Sequence, residues 1–266
     1  MMDLSRNPEA RQAELLTRIA RSGFMTVKDL ATAAGVSEIT VRRDLAALEK
    51  DGAVRRTHGG AIGLTVSDND VFDAFEPSFA ARRRRNGNAK AAIAQAAMRL
   101  VRPGQSLAID TGSTTYEFAR QCAALTGLTI VTNSARVAGV LADTGNAVYL
   151  PAGRLRGGEL SIYGSMAVET MSTFSFDLCF IGVSGITIDG FYDYSPEDAE
   201  LKRAFINRSN RAVVLGDATK FNHRALVKVA GMDQVHTIVT DRAPSERLAE
   251  QLAASGIDVI VAKASS

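Results

Sequence analysis

A cluster of basic and hydroxyl residues near the start of the chain has the chemistry of a nucleic-acid contact. It lies in the stretch VSEITVRRDLAALEKDGAVRRTHGGA, which runs from Val36 to Ala61. Arginine guanidinium groups bind phosphate oxygens and guanine edges, and short hydroxyl side chains bind both phosphates and bases. A helix face that contacts only water can carry the same residues, so the elements that position them decide between these interpretations.

The two adjacent arginines of this stretch are expected to have different roles. A helical wheel places Arg43 opposite the apolar stripe that begins at Val41, so its side chain points outward. Arg42 points to the side, within reach of Glu38 one turn earlier. Arg43 is therefore the candidate for contact with base edges, and Arg42 is the candidate for an internal ion pair or a backbone phosphate.

Three predicted helices and a ribbon position these side chains. Apolar residues recur at helical spacing up to Ser22, and Thr26 and Gly35 mark the start and end of a second helix. Ser37 caps a third helix that runs to about Lys50, and the segment AVRRTHGGA then has the character of a β-ribbon closed by glycines. This order of elements predicts an α+β winged helix-turn-helix, whose basic ribbon lies along phosphates.

The motifs of this region resemble the DNA-binding signature of the DeoR/GlpR family of bacterial transcriptional regulators. They are RQAELLTRI, then SEITVRRDL, then GAVRRTHGGA, at the internal spacing of that family. The resemblance implies a DNA-binding domain over residues 1–61, with double-stranded operator DNA as its partner and repression as the outcome. The predicted DNA contacts are Ser37, Thr40, Arg42, Arg43, Arg55, Arg56 and His58.

Residues 62–78 lack clean periodicity, and residues 62–88 are predicted to form a linker. A second domain is predicted over residues 89–266. In this domain apolar strand candidates alternate with helical stretches, which predicts an α/β mainly parallel sheet covered on both faces. The predicted strands are 106–110, 128–132, 147–151, 177–183, 211–216, 236–241 and 257–262. The predicted helices are 90–101, 115–124, 134–142, 164–172, 197–208 and 245–254.

The turn after the first of these strands has the residues of a phosphate-binding turn. It reads DTGSTT, from Asp110 to Thr115. A glycine and hydroxyl residues at the start of a helix present backbone N–H groups and hydroxyl donors to an anion. A serine or threonine that only caps the helix would give the same sequence. Asp110 would repel a phosphate, so we expect its carboxylate to bind a sugar hydroxyl or a neighbouring backbone group.

Polar residues also follow several other predicted strands, at the sheet edge where open α/β sheets bind ligands. The segments TGSTT, VTNS and GDATKF resemble the effector domain of the same family, which is similar in fold to sugar-phosphate isomerases. The resemblance implies a phosphorylated sugar as the ligand and no cofactor. The predicted effector contacts are Asp110, Thr111, Gly112, Ser113, Thr114, Thr115, Asn133, Arg154, Glu200, Lys202, Asp217 and Lys220.

Two other functions are compatible with this sequence. A sugar-phosphate isomerase with an accessory DNA-binding module would share the fold. Such enzymes place paired aspartates in the loop that here reads GVSGIT, residues 182–187, which has no carboxylate. Proton transfer needs a titratable group within reach of the moving proton, so the sequence favours a sensor and predicts no catalytic residues. The second alternative is an architectural DNA-binding protein whose larger domain only oligomerises.

Composition and charge exclude several classes of protein. A net charge of +2 over 266 residues indicates local basic patches rather than a polycation. No apolar run reaches the roughly 20 residues of a membrane span, so no membrane partner is expected. Cys122 and Cys179 lie in apolar surroundings, which predicts free thiols in a reducing cytoplasm. The isolated histidines predict no metal site. We expect a homodimer or a homotetramer.

Two segments stay open at the level of sequence. The basic run Arg82–Arg85 allows three interpretations: a solvated helix face, a linker contact with DNA phosphates, or a contact with another subunit. Tyr192, Asp193 and Tyr194 depart from the pattern of the family that the chain resembles. We expect these three residues to shape a pocket peculiar to this protein.

Overall fold

The chain divides after Ser67 into two units, Met1–Ser67 and Asp68–Ser266. The computed structural model describes residues 8–22, 24–50, 53–56, 59–63 and 78–263. The described elements of the first unit are α1 (Pro8–Ser22), β1 (Phe24–Thr26), α2 (Val27–Ala34), α3 (Glu38–Lys50), β2 (Val54–Arg56) and β3 (Gly60–Gly63). The strands form an antiparallel sheet in the order β1-β3-β2. The three predicted helices and the predicted ribbon are confirmed.

Local capping chemistry sets the limits of these helices. Thr26 Oγ1 accepts a hydrogen bond from the Asp29 amide at 3.1 Å. Gly35 ends α2 with a φ of 66°, in the left-handed region where glycine avoids the steric penalty of other residues. Ser37 Oγ accepts from the Thr40 amide at 3.2 Å at the start of α3. All three predicted signals are confirmed.

The second unit alternates helices and strands along most of its length. The described helices are α4 (Phe79–Arg84), α5 (Gly87–Ala97), α6 (Ser113–Cys122), α7 (Ala135–Leu141), α8 (Ser165–Ser172), α9 (Pro196–Asn207) and α10 (Glu246–Ala254). The described strands are β4 (Ser106–Ile109), β5 (Thr129–Thr132), β6 (Ala147–Tyr149), β7 (Arg154–Arg156), β8 (Ser161–Tyr163), β9 (Phe176–Gly182), β10 (Gly185–Thr187), β11 (Gly190–Asp193), β12 (Ser209–Leu215), β13 (Val227–Ala230), β14 (Thr237–Thr240) and β15 (Asp258–Val261).

Seven of these strands form one parallel sheet in the order β15-β14-β12-β9-β4-β5-β6. They are the seven strands predicted from the sequence, and the six predicted helices are present as α5 to α10. Side chains of β4 alternate between the two faces: Leu107 and Ile109 pack in one apolar layer and Ala108 packs in the other. A parallel sheet with apolar packing on both faces is therefore confirmed.

Strand β4 lies where the order of the strands reverses. From β4 the chain continues through α6 to β5 and β6 on one side, whereas β9, β12, β14 and β15 lie on the other side. The connections after β4 and β9 therefore diverge, which leaves a crevice at the carboxyl ends of these two strands. The predicted effector contacts 110–115 begin at this crevice.

Three features of the second unit are absent from the prediction. They are helix α4, the hairpin of β7 and β8, and a small antiparallel sheet in the order β10-β11-β13. Their elements have three to six residues, which is too short for a periodicity signal. Gly190 permits the close approach of β11 to β13, because a Cβ atom there would lie 2.3 Å from the Ala230 carbonyl oxygen.

Helix α4 folds against the second unit, although it lies within the predicted linker 62–88. The Phe79 amide donates to Glu159 Oε1 at 3.1 Å, and Arg82 forms an ion pair with the same carboxylate. The Phe79 ring packs edge-on against Tyr116 at a centroid distance of 5.6 Å. The interpretation of residues 78–88 as linker is therefore corrected, because side-chain contacts fix α4 to the second unit.

Candidate functional site

The outer face of α3 carries Arg43. The opposite face of the helix is the core stripe of Val41, Leu45 and Leu48, which are at most 4% exposed. Arg43 is exposed and makes no hydrogen bond or ion pair within the described residues. The direction predicted from the helical wheel is confirmed, and a guanidinium group is left available for an external partner.

Arg42 is engaged within its own helix. Its Nη2 lies 3.3 Å from Glu38 Oε2, and both side chains are about half exposed, so the predicted ion pair is confirmed. Exposed pairs of this kind contribute less than about 1 kcal/mol to the stability of the fold. Arg42 can therefore leave Glu38 and bind a phosphate with little loss of stability. Ser37 Oγ and Thr40 Oγ1 lie 2.9 Å apart and stabilise the first turn of α3.

The predicted ribbon residues lie on and beside an edge strand. In the antiparallel pairing of β2 with β3, Arg55 is opposite Ile62 and Arg56 is opposite Ala61. β2 is the edge strand of this sheet, since β3 separates it from β1. His58 lies outside the described residues. The backbone of the ribbon is as predicted, and contacts of these three basic residues with DNA stay a prediction.

A buried ion pair that sequence analysis missed fixes α1 against α3. Arg11 Nε lies 2.5 Å from Asp44 Oδ2 and Arg11 Nη2 lies 3.2 Å from Asp44 Oδ1, with both side chains 5% exposed. Gln12 Nε2 donates to the same Oδ1 at 3.3 Å. A signal was present in the sequence, because Asp44 follows Val41 at the i+3 spacing of the core stripe. The pair orients the helix that carries Arg43.

Lys202 of α9 forms a buried cluster with two carboxylates at the crevice between β4 and β9. Lys202 Nζ forms an ion pair with Asp110 Oδ2 and lies 3.2 Å from Asp193 Oδ2. The three side chains are at most 6% exposed. Burial alone would lower the pKa of Lys202, but the two carboxylates outweigh it and hold this pKa above its ordinary value. The ammonium group therefore stays charged.

Asp110 has one engaged oxygen and one without a partner. Oδ2 also accepts from the Gly182 amide at 3.2 Å, which confirms the expected bond to a neighbouring backbone group. Oδ1 is buried and has no hydrogen-bond partner among the described residues. Complete burial raises the pKa of Asp110 to about 6, although Lys202 opposes this shift. An unsatisfied buried acceptor costs about 1–3 kcal/mol, which a ligand donor would recover.

Asn133 extends this group to the loop after β5. Its Oδ1 accepts from the Thr111 amide at 3.2 Å, and its Nδ2 donates to the Ile162 carbonyl oxygen at 3.5 Å. The hydroxyl oxygens of Thr111 and Ser161 are also buried without a hydrogen-bond partner among the described residues. Asp110 Oδ1 and these two hydroxyls therefore lie along one connected set of residues, of which Ser161 was missed by sequence analysis.

Helix α6 begins beside Asp110 and Thr111 with buried hydroxyl residues. Gly112 precedes the helix and has no side chain to cap it, and Ser113 and Thr114 are buried in the first turn. Thr115 Oγ1 donates to the Gly112 carbonyl oxygen at 3.1 Å. The first amides of a helix have no acceptor within it, and the helix dipole attracts anions to this end. Binding of an anion by this turn stays a prediction.

A second polar group follows β12. Asp217 Oδ1 accepts from the Thr219 amide at 3.1 Å and from Asn86 Nδ2 at 3.3 Å. Burial would raise the pKa of Asp217, but the bonds from Thr219 and the charges of Lys220 and Lys90 hold it below its ordinary value. The structure thus brings the predicted residues Asp217 and Lys220 together and adds Asn86 and Lys90 to them.

Lys90 links this second group to α4. It is 5% exposed, and its Nζ donates to the carbonyl oxygens of Arg82 and Arg85 at the end of α4. Burial lowers the pKa of Lys90 to about 8, although Asp217 acts in the opposite direction. Arg82 also pairs with Glu159, so this arginine does not belong to a solvated helix face. A DNA contact and a subunit contact stay open for the run 82–85.

Arg154 and Glu200 are not joined to either polar group. Both are exposed, and no hydrogen bond or ion pair between described residues connects them to the other predicted contacts. Arg156, at the end of the same strand β7, instead forms an ion pair, with its Nη1 2.7 Å from Asp198 Oδ2. The effector roles of Arg154 and Glu200 stay predictions.

A carboxylate does reach the loop 182–187, although none lies within it. Ser184 Oγ donates to Asp193 Oδ1 at 3.4 Å. Because Lys202 pairs with the same carboxylate, Asp193 is not a free base. In the part of the chain that the structure describes, no three His, Cys, Asp or Glu side chains form a metal-binding group. No described helix combines the length and apolar character needed to cross a bilayer.

Both units match models of known protein families. Residues 11–66 match the DeoR-like helix-turn-helix domain, and residues 85–242 match the DeoR C terminal sensor domain. Three curated relatives are each 30% identical to this chain. The match to the HTH-type transcriptional repressor GlcR of Bacillus subtilis (strain 168) covers 95% of this chain and 96% of the relative. The match to the HTH-type transcriptional repressor CsqR of Escherichia coli (strain K12) covers 98% of this chain and 97% of the relative. The match to the glycerol-3-phosphate regulon repressor of Haemophilus influenzae covers 88% of this chain and 89% of the relative.

Solved structures resemble the chain in fold alone. Ribose 5-phosphate isomerase A from Methanocaldococcus jannaschii is 18% identical, covers 51% of this chain and 55% of its own, and has a TM-score of 0.38. The eIF2B beta subunit from Chaetomium thermophilum is 14% identical, covers 64% of this chain and 54% of its own, and has a TM-score of 0.45. At these scores the likeness carries no information about function.

Proposed function

The chain belongs to the DeoR family of transcriptional regulators, and we propose that it represses a carbohydrate operon until a phosphorylated sugar binds its sensor domain. Like the relatives, which are named as transcriptional repressors, it is a DNA-binding regulator and not an enzyme. It acts in the cytoplasm. It forms a homodimer or homotetramer, because subunits related by a two-fold axis match the symmetry of operator half-sites.

The contrast between the two arginines of α3 supports base reading by Arg43. Arg43 is exposed and unpaired within the described residues, whereas Arg42 already binds Glu38. A guanidinium group that binds guanine O6 and N7 together is the commonest specific contact in the major groove. Arg43 and Thr40 therefore read base edges in this proposal. The proposed phosphate contacts are Ser37, Arg42, Arg55, Arg56 and His58.

The observation that carries the effector site is the set of unsatisfied buried polar atoms at the crevice. Asp110 Oδ1 accepts hydrogen bonds from sugar hydroxyls in this proposal, and the hydroxyls of Thr111 and Ser161 bind the same ligand. The phosphate binds at the start of α6, where amides and hydroxyls meet. The remaining proposed contacts are Gly112, Ser113, Thr114, Thr115, Asn133, Arg154, Glu200, Lys202, Asp217 and Lys220.

Release from the operator requires that the effector bind one conformation of the protein more tightly than the other. Asn86, between α4 and α5, donates to Asp217. A ligand that engages Asp217 and Lys220 competes with this bond and so favours a conformation in which α4 is displaced. Displacement of α4 is the conformational difference that the effector selects in this proposal.

The DNA assignment is tested by titrating the full-length protein against an operator obtained by in vitro selection and against a scrambled duplex. Arg43→Ala should weaken operator binding by about 1–3 kcal/mol and blur the base preference at one position. Arg42→Ala is the matched control, with a smaller loss that is similar for both duplexes. Identical behaviour of the two variants on both duplexes would remove the assigned role of Arg43.

The effector assignment is tested by thermal unfolding in a panel of sugar phosphates that includes ribose 5-phosphate and glucosamine 6-phosphate. A specific ligand raises the Tm by mass action. Asp110→Asn should reduce this rise, because the amide replaces an acceptor with a donor. Asp258→Asn is the matched control, since Asp258 has a side chain that is 75% exposed and lies in β15. A Tm that no sugar phosphate raises would favour a purely architectural role for the second unit.

A further inference from the structure

Ile39 is the most exposed large hydrophobic residue in the described part of the chain. It is 74% exposed, whereas the other exposed large hydrophobic residues range from 45% to 60%. A single exposed apolar side chain is ordinary on a protein surface. Ile39 differs because of its position in the first turn of α3, the helix whose outer face carries Arg43.

The residues beside Ile39 are already engaged. Ser37 Oγ accepts from the Thr40 amide, and the two side-chain hydroxyls lie 2.9 Å apart. Glu38 pairs with Arg42, which compensates the acidic charge of this turn. Ile39 is therefore the side chain of the first turn that projects without a polar contact, on a segment whose backbone is held by its cap.

Ile39 and Arg43 form one surface. They are four residues apart on the same helix, so their side chains are neighbours on one face. Stability within the first unit does not explain this placement, because an exposed isoleucine buries little apolar area and its β-branch makes it a weaker helix former than alanine. A partner that approaches Arg43 therefore also meets an apolar group.

We propose that Ile39 recognises the C5-methyl group of a thymine beside the base bound by Arg43. A side chain without donors or acceptors can distinguish only one group on the base edges of the major groove, which is this methyl group. One helical turn advances about 5.4 Å and one base pair about 3.4 Å, so the two contacts lie within about two base pairs. The proposal rests on the proposed function in requiring that α3 enters the major groove.

The test uses the full-length protein and an operator duplex selected in vitro from random DNA. Each thymine is replaced in turn by deoxyuridine, which removes only the methyl group. At one thymine, within two base pairs of the position where Arg43→Ala loses its preference, this change should weaken wild-type binding about fourfold, the effect of one buried methyl group. Ile39→Ala should bind the thymine and deoxyuridine duplexes equally at that position.

Two control variants separate this contact from general effects. Ile39→Val retains the branched carbon and should keep a methyl preference, and Met166→Ala removes another exposed apolar side chain and should keep the full preference. Because Ile39 is exposed, Ile39→Ala should leave the Tm unchanged, which shows that the fold is retained.

Two results would overturn the proposal: equal wild-type binding to every thymine and deoxyuridine duplex, or an Ile39→Ala variant that keeps the preference. A full-length protein that selects no DNA sequence at all would overturn the proposed function itself, and this proposal with it. Loss of the preference in Ile39→Ala together with retained base reading by Arg43 supports the assignment of Ile39 alone.

Discussion

The two units each bury a charged group, and the two groups differ in how completely they are satisfied. In the first unit both oxygens of Asp44 accept hydrogen bonds, from Arg11 and from Gln12. In the second unit one ammonium group, of Lys202, faces the carboxylates of Asp110 and Asp193, and Asp110 Oδ1 has no partner among the described residues. We call the first group closed, because both carboxylate oxygens accept hydrogen bonds, and the second group open, because Asp110 Oδ1 accepts none from the described residues.

This difference separates a structural role from a binding role. A buried pair whose hydrogen bonds are all made can specify the packing of two helices and has no capacity left for a ligand. A cluster with a surplus carboxylate and an unfilled acceptor retains such capacity. Burial of charge alone therefore does not distinguish the two groups, whereas the unsatisfied Asp110 Oδ1 does.

The largest effect is expected when the closed pair is broken. Asp44→Ala removes the carboxylate that binds the buried guanidinium group of Arg11 and should destabilise the first unit by about 3–5 kcal/mol. A loss of this size is comparable with the whole stability of a domain of some sixty residues. Calorimetry of the full-length protein should show early unfolding of the first unit, together with loss of operator binding.

Two matched variants show whether charge is the cause of that effect. Glu38→Ala breaks the exposed pair with Arg42 on the same helix and should cost less than about 1 kcal/mol. Arg11→Met combined with Asp44→Leu removes both buried charges and should recover most of the stability. If the double variant and Asp44→Ala lower the free energy of unfolding equally, lost packing and not charge causes the destabilisation.

A smaller and pH-dependent effect is expected when the open cluster loses its cation. Lys202→Met leaves Asp110 and Asp193 without a counter-charge and should destabilise the second unit by about 2–3 kcal/mol at pH 8. The pKa of Asp110 is already raised to about 6 in the folded chain, and loss of Lys202 raises it further. A carboxyl group with a raised folded-state pKa stabilises the fold below its unfolded-state pKa, and this stability is lost as the pH rises through the folded-state pKa.

Urea unfolding of Lys202→Met at pH 5 and at pH 8 measures this dependence. The variant should lose less stability relative to the wild type at pH 5, where Asp110 can hold a proton. Asp258→Asn, at an exposed carboxylate, is the control and should behave like the wild type at both values. The same loss at both values would mean that the two carboxylates do not interact with Lys202 through charge.

The smallest effect is expected at the exposed pair of α3. Glu38→Gln frees Arg42 for DNA phosphates and should strengthen operator binding about twofold to threefold. The slope of log affinity against log salt should stay as in the wild type, because Arg42 contacts a phosphate in both proteins. Glu250→Gln removes an exposed acid in α10 and controls for net charge. A slope that steepens by about 0.9 would show that Arg42 does not contact a phosphate in the wild type.

The sequence predicts the regular elements of both units because their signals are local. Each central strand is an apolar run, and each helix of the first unit has its cap or stop within a few residues, as at Thr26 and Gly35. The outward direction of Arg43 also follows from one helix alone. The large sheet, its two apolar layers and the exposed face of α3 could therefore all be predicted from the sequence.

The sequence does not predict which residues pair with one another within the sites. Asp110 and Lys202 are 92 residues apart, and Arg11 and Asp44 are 33 apart, so each pairing depends on packing between distant elements. Other site residues lie on or beside elements too short for periodicity. They are Ser161 in β8 and Asn86 between α4 and α5, whereas Lys90 lies in the predicted helix α5 and Asp193 was already expected to shape a pocket. Asn86 further adopts a left-handed φ of 55°, a conformation that asparagine tolerates better than most residues.

The attachment of α4 has a consequence for protein engineering. Lys90 holds the last carbonyl groups of α4 and Asn86 bonds to Asp217, so the segment that begins at the cap Ser78 is part of the sensor domain. A chimera that transplants this domain onto a foreign DNA-binding module should therefore be joined upstream of Ser78. A junction placed at residue 89, where the strand–helix alternation begins, would discard α4 and Asn86 and with them the hydrogen bond from Asn86 to Asp217.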